Sequence, residues 1–336
     1  MKRMFISIVV GLALLLGLMP AAVTFAADTG TTSGSFTVGN VVPVVTDIEM
    51  YSDSVLQTVA NMITPQVEYY IKITVACPNS LADVKLVTIK LFYDTTGSVN
   101  ESTITAGNPQ TAAILTWTQS TGLWTIDAGS PTSWTIVSSD CHVPSDLTAS
   151  SGFGVFAFKA GKVGTETVGS NYWDIHGRVT GSDDKTSGLY RRQKQMMWYG
   201  ETTVNTSNVV WGVVTPGTGF GDVVNKQGNI SVKYIANGAY QEKVKSSATW
   251  AGSSYTATFD ATGACSDARE FSLKVWNADA YASAVQMNTT GVNLHNDSAT
   301  GEAGDLEATN VLWLKLASTF PVDLYAGTIT FIIANN

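Results

Sequence analysis

Strict alternation of apolar and polar side chains is the feature that most constrains the fold of this chain. Between residues 67 and 76 every second position is apolar, namely Val67, Tyr69, Ile71, Ile73 and Val75. Successive side chains of a β-strand point to opposite faces, so this pattern predicts a strand with one buried face. Comparable runs recur at 87–93, 153–158, 232–235, 255–259, 271–276, 312–316 and 329–333. Many short strands without intervening helices predict an all-β protein built of antiparallel β-sandwiches.

Local signals refine this prediction at two places. The pair Asn237-Gly238 separates the runs 232–235 and 240–244, and both residues tolerate positive φ, so it predicts a two-residue β-hairpin. Residues 53–63 have apolar side chains at helical spacing, followed by Pro65. They are the best candidate for a short helix.

Length and composition shifts predict the domain organisation. The chain has 336 residues, about twice the roughly 150 residues of a common domain. A polar stretch begins at residue 201, so we expect one β-sandwich over 40–200 and a second over 201–336. Residues 27–39, rich in Thr, Ser and Gly, are expected to be a flexible N-terminal segment.

The first 26 residues have the pattern of an export signal. Lys2 and Arg3 precede an apolar stretch from Phe5 to Met19, and small residues then lead to Ala26. This order predicts a signal peptide cleaved after Ala26. An uncleaved membrane anchor is the alternative, but the apolar core is shorter than the roughly 20 residues that a span needs. We therefore expect a secreted, extracellular protein at the cell surface, with no membrane span in the mature chain.

The charge balance excludes one class of partner. The chain carries 27 acidic against 19 basic residues, a formal net charge of −8. Binding to nucleic acid depends on a basic surface that neutralises phosphates. Nucleic acid is therefore not an expected partner.

Export gives meaning to the three cysteines, because thiols outside the cytosol tend to pair. Cys77 and Cys141 both fall in the N-terminal half and are the favoured disulfide, which leaves Cys265 in a polar turn. The alternative is that all three remain reduced.

Two stretches resemble parts of known surface proteins. Residues 63–75, followed by 78–91, resemble the strand–loop–strand core of immunoglobulin-like modules in archaeal and bacterial cell-surface proteins. Residues 210–217 and 327–335 are similar to the first and last strands of secreted sandwich domains in surface-layer and fibre components. The resemblance implies two immunoglobulin-like antiparallel β-sandwich domains in tandem after a cleaved signal peptide. It carries over no site residue, and the Trp and Tyr positions typical of antibody domains are absent.

Motifs for catalysis are absent from the sequence. It contains no nucleophile elbow, no dinucleotide or phosphate-binding glycine loop and no His-Glu-x-x-His helix. Asp174 and His176 would share one strand face, where the carboxylate could orient the imidazole, although an ordinary surface pair is the simpler interpretation. We therefore do not expect an enzyme, or a cofactor.

Two segments suggest ligands. Residues 296–307 gather four carboxylates around glycines, which would suit calcium, while a solvated acidic loop is the alternative. The residues concerned are Asp297, Glu302, Asp305 and Glu307.

Trp117, Trp124 and Trp134 could form an exposed face that stacks on sugars, or could instead fill the core. The basic cluster Arg191, Arg192 and Lys194 is expected to be a solvated strand face or the counter-charge of an acidic neighbour.

These observations lead to two hypotheses of function. The first is a non-catalytic structural or adhesive surface protein, a self-associating subunit of a filament, sheath or matrix. It would assemble when the apolar N-terminal segment adds as a strand to the sheet of a neighbouring copy or of another surface protein. The residues expected to do so are Phe36, Val38, Val41, Val42 and Val44. The alternative is a secreted carbohydrate-binding protein that recognises glycans through an exposed aromatic face.

Overall fold

The computed structural model describes residues 32–97, 99–105, 107–128, 134–221, 225–297 and 306–336, with backbone alone at 295–297 and 306–307. The predicted signal peptide lies outside these residues. By contacts between Cα atoms, residues 40–336 form one compact unit, separate from residues 1–39. Division of the larger unit at residue 200 therefore stays a prediction. No helix in the described ranges is long and apolar enough to cross a membrane.

The protein is all-β, as predicted. The described residues of the N-terminal half, 40–199, form ten strands: β1 (Val44–Tyr51), β2 (Met62–Ile63), β3 (Glu68–Ala76), β4 (Val84–Asp94), β5 (Ala112–Thr118), β6 (Leu123–Asp127), β7 (Thr135–Ile136), β8 (Ser151–Lys159), β9 (Tyr172–Gly181) and β10 (Tyr190–Met196). One sheet has the order β1-β3-β8-β7 and the other β2-β10-β9-β4-β5-β6. An apolar cluster between them takes Ile71 and Phe156 from the first sheet and Ile89 and Ile175 from the second.

In the C-terminal half, residues 200–336, the part that the structure describes also forms ten strands. They are β11 (Gly200–Val204), β12 (Lys226–Ala236), β13 (Tyr240–Ser246), β14 (Thr249–Ala251), β15 (Thr256–Phe259), β16 (Glu270–Trp276), β17 (Val285–Gln286), β18 (Val292–Asp297), β19 (Leu306–Leu316) and β20 (Ile329–Asn335). Strands β11-β12-β19-β16-β15-β14 form one sheet, with β17 beside β16, and β18-β13-β20 form the other. Val232 and Leu312 from the larger sheet pack with Val244 and Phe331 from the smaller in a second apolar cluster.

Most strand pairs are antiparallel, but β2 with β10 and β15 with β16 are parallel. Single 3-10 turns occur at Leu81–Asp83, Glu101–Thr103, Ser138–Asp140 and Tyr281–Ser283. Both halves therefore have the layered packing of two sheets around a core. Whether either half has immunoglobulin topology stays a prediction.

Two local predictions are wrong. Residues 53–63 are turns that end in β2, because the Asp53 carboxylate accepts hydrogen bonds from the backbone N–H groups of Gln57 and Thr58 and Leu56 has a φ of 58°. The expected hairpin at Asn237-Gly238 is also absent. Strands β12 and β13 on either side of it lie in different sheets, so these residues form a corner between sheets.

Candidate functional site

The predicted strand-exchange residues fall into two groups. Phe36 is 89% exposed, Val38 70% and Val41 44%, and residues 32–43 belong to no strand. Val42 is half-buried. Val44, by contrast, opens β1 and pairs with Ala76 of β3 in its own sheet. A donor segment can therefore extend only to residue 42.

An ionic cluster ties β1 to β10. The carboxylate of Glu49 accepts hydrogen bonds from Lys194 Nζ at 2.5 Å and from Arg192 Nε at 3.3 Å. Arg192 also bonds Asp47 at 3.1 Å. Burial opposes ionisation of Glu49, but the Lys194 ammonium and the backbone N–H of Met50 outweigh it and hold the pKa of this carboxyl below its usual value. The basic cluster predicted from the sequence thus supplies counter-charges to β1.

The predicted disulfide between Cys77 and Cys141 is wrong, because all three cysteines are free thiols. The backbone N–H of Cys77 bonds Ser150 at the start of β8, whereas Cys141 Sγ accepts from the N–H of Ala157 near its end. A strand rises about 3.3 Å per residue, so the two cysteines lie beside opposite ends of β8. Their Cα atoms are therefore much farther apart than the 7 Å that a disulfide can bridge. Burial raises the pKa of the Cys141 thiol, and burial together with Asp260 raises that of Cys265 to about 11.

The proposed calcium residues lie mostly beyond the described part of the chain. Glu302 and Asp305 are outside it, and only the backbone of Asp297 and Glu307 is described, on β18 and β19. In the described residues, no group of three or more His, Cys, Asp or Glu side chains is arranged to hold a metal. The calcium site stays a prediction.

The aromatic residues do not form the predicted exposed face. Trp117, Trp124 and Trp134 are all buried in the core of the N-terminal half. The structure describes all nine tryptophans of the chain, and none is among its exposed large apolar residues. The indole faces expected to stack on sugars therefore pack against protein, for example Trp134 against Phe158 with ring centroids 6.2 Å apart.

Asp174 and His176 share one face of β9, as predicted, but this face is buried. His176 Nε2 lies 3.7 Å from Asp174 Oδ2, and Phe92 packs edge-on against the imidazole. None of the side-chain oxygen and nitrogen atoms of this pair has a hydrogen-bond partner within the described ranges. With 0% and 2% exposure, the pair is closed to substrate.

A cleft that the sequence did not reveal opens at one end of the N-terminal core. Its walls include Val75, Val87, Trp117, Trp124 and Val143, and we call it the Trp117 cleft. The glycines of β8 make room for it. A Cβ atom at position 154 would lie 3.1 Å from the Trp124 ring, and one at 152 would lie 2.8 Å from a methyl group of Leu81. Small residues in a strand mark such close approaches, but they do not indicate what approaches.

Comparison with known proteins assigns no family. No family model matches the chain, and no curated protein matches it. Among solved structures, it is similar to BcpA, the major pilin subunit of Bacillus cereus, at 10% identity and a TM-score of 0.22, over 82% of this chain and 56% of that one. The chain thus spans little more than half of BcpA.

Two other solved structures have comparable scores. A chaperone–tip adhesin complex of CFA/I fimbriae biogenesis matches at 10% identity and a TM-score of 0.23, over 82% of this chain and 95% of that one. A structure described as manganese lipoxygenase of Gaeumannomyces graminis with partial zonadhesin of Komagataella pastoris matches at 12% identity and 0.20, over 87% and 94%. At these TM-scores the likenesses carry no argument about function.

Proposed function

We propose that this chain is a non-catalytic structural protein of the cell surface that self-associates through its N-terminal segment. The observation that carries the proposal is the exposure of Phe36 and Val38 on a segment that belongs to no strand. Two residues apart, these side chains would share one face of an added strand. Exposed apolar residues on a segment that lies outside every sheet favour addition to the sheet of another copy.

The sequence adds support from outside the described residues. The predicted signal peptide would deliver the chain to the cell exterior, where assembly between copies can build a filament, sheath or matrix. Trp117, Trp124 and Trp134 are buried, so the carbohydrate-binding alternative keeps only tyrosines as exposed rings, of which Tyr255 and Tyr281 are examples.

Removal of the segment tests the proposal. A variant that lacks residues 27–42 keeps all of β1 and should remain folded, whereas the intact protein should form polymers. Size-exclusion chromatography and negative-stain electron microscopy would measure the difference. Polymers that persist in the deletion variant, or an intact protein that stays monomeric at high concentration, would refute self-association through this segment.

A further inference from the structure

We propose that residues 317–326, which we call the distal loop, receive the N-terminal segment of a second copy of this chain. This inference rests on the proposed function and names the acceptor for that segment. Phe36 and Val38 of one copy would pack against Val322 and Leu324 of the next.

The first support is the exposure of the distal loop. Val322 is 100% exposed and Leu324 is 85% exposed, and Tyr255 on the adjoining turn is 44% exposed. Single exposed apolar residues are common, whereas a group of neighbouring ones marks a surface that contacts another molecule. These three side chains therefore form a candidate contact surface.

The second support is that hydrogen bonds hold the distal loop in place. The Asp323 carboxylate accepts hydrogen bonds from the backbone N–H groups of residues 253–255. The Tyr325 hydroxyl donates to the carbonyl oxygen of Pro321 at 3.1 Å. A surface that is already ordered loses little conformational entropy when a partner binds.

The third support is the position of the distal loop at the edge of a sheet. Strand β14 is the last strand of the larger C-terminal sheet, and Ala326 joins its outer side through two backbone hydrogen bonds with Ala251, each 2.9 Å long. Among the described residues, no strand pairs with the distal loop on its outer side. A segment added there would extend this sheet.

The fourth support is charge, which argues for a second copy as the occupant. The chain has a net charge of −8, so two copies repel each other unless they meet at uncharged surfaces. Residues 32–42 and 246–259 contain no charged side chain, and residues 316–336 contain only Asp323. Contact between the segment and the distal loop would therefore bury apolar surface without desolvating an unpaired charge.

Donor and acceptor lie at the remote ends of the two halves. The halves join where β10 ends and β11 begins, and strand pairing places this junction beside the starts of β9 and β19. Asn40, which follows the segment, donates a hydrogen bond to Ser182 just beyond the end of β9. The distal loop follows the end of β19. Each surface therefore lies at the end of its half that is farther from the junction.

This placement determines the form of the assembly. Each copy would offer one segment and one distal loop, so contacts would run head to tail. Such heterologous contacts produce open polymers unless the rotation between copies closes a ring.

The variant Val322→Glu tests the acceptor. It changes a fully exposed side chain, so the fold should stay intact, but a segment bound there would have to bury the new charge. We expect the concentration needed for polymerisation to rise at least about tenfold, equivalent to about 1.4 kcal/mol per contact. Val55→Glu makes the same change at a position that is 68% exposed in the N-terminal half. This matched control should polymerise like the unmodified protein.

Mixing two assembly-deficient variants gives the decisive test. The variant without residues 27–42 retains the distal loop, and Val322→Glu retains the donor segment beside a blocked acceptor. At a concentration where the unmodified protein polymerises and neither variant does, each alone should be monomeric. Together they should form a one-to-one dimer, detected by light scattering after chromatography. Near-ultraviolet circular dichroism verifies that both are folded.

The outcomes separate this inference from the proposed function. If Val322→Glu polymerises normally while the deletion variant does not, the segment mediates assembly but the distal loop is not its acceptor. Absence of a dimer in the mixture of folded variants, or equal impairment of Val55→Glu, would also overturn this acceptor. If the deletion variant polymerises, the proposed function itself fails.

Discussion

The side-chain oxygen of Asn237 accepts a hydrogen bond from the backbone N–H of Tyr199 at 2.6 Å. Its amide nitrogen donates to the carbonyl oxygens of Gly164 and Met197, both at 2.8 Å. A buried residue at a corner of the C-terminal half thereby joins two segments of the N-terminal half. The side chain provides partners for three backbone groups at this corner, of which the carbonyl of Gly164 is buried.

Replacement of this residue should destabilise the whole chain. Asn237→Ala removes three hydrogen bonds and takes a partner from the buried carbonyl oxygen of Gly164, the part-buried carbonyl oxygen of Met197 and the part-buried N–H of Tyr199, at a cost of roughly 2–4 kcal/mol. Urea unfolding at neutral pH would measure the change in the free energy of unfolding. Asn79→Ala, at an exposed position, is the control and should change it by less than about 0.5 kcal/mol. Equal effects of the two substitutions would contradict the role given to Asn237.

The Glu49–Lys194 pair should show strong coupling. Glu49→Gln leaves the Lys194 ammonium, whose side chain is 2% exposed, without its anion. Loss of one partner of a buried pair costs about 3–5 kcal/mol, whereas replacement of both by uncharged groups is often nearly neutral. The double variant Glu49→Gln/Lys194→Met should therefore be more stable than Glu49→Gln alone. Strictly additive losses in a double-mutant cycle would argue against this coupling.

Stability should fall in acid, partly through Glu101. Burial disfavours the Glu101 carboxylate, but two hydrogen bonds from Arg178 outweigh this and lower its pKa from the usual 4.5. A lowered pKa stabilises the fold at pH values above 4.5, and this contribution is lost as the pH falls through the lower, folded value. Glu101→Gln should lose about 2 kcal/mol at pH 7 and show a flatter decline toward pH 3. Parallel curves for variant and unmodified protein would exclude this role.

Thiol titration should find three cysteines and no disulfide. Raised pKa values at Cys141 and Cys265 leave little thiolate at pH 8, so a thiol reagent should react slowly with the folded protein. After unfolding in guanidinium without reductant, all three should react. A single reactive thiol under those conditions would instead show that two cysteines are bridged.

The sequence predicted the strands better than their connections. Alternation of apolar and polar residues predicted β3 and β4 correctly. One face of each strand is buried, and this produces an apolar residue at every second position. The Asn237-Gly238 pair has the composition of a hairpin turn. In the structure, however, the Asn237 side chain bonds backbone groups of the N-terminal half, and the chain passes from one sheet to the other at this point. Local composition cannot distinguish these outcomes, because the carbonyl and N–H groups that Asn237 satisfies lie 38 to 73 residues away.

The candidate site was predictable in part. Exposure of Phe36 and Val38 followed from an apolar stretch without a partner, whereas the boundary at Val44 depended on pairing with β3. The Trp117 cleft could not be foreseen, since its walls come from strands far apart in sequence and from the space above Gly152 and Gly154. The sequence left open whether the tryptophans form a surface or fill the core, because side-chain type alone does not specify which face of a strand is covered.

The contact between Glu49 and Lys194 spans 145 residues, and this separation affects how the protein is made. A ribosome that has just completed β1 has not yet produced the cation that neutralises it. The Glu49 carboxylate of β1 therefore has no contact with Lys194 until β10 has been translated. The contact between β1 and β10 can therefore form only after more than half of the 336 residues have been translated.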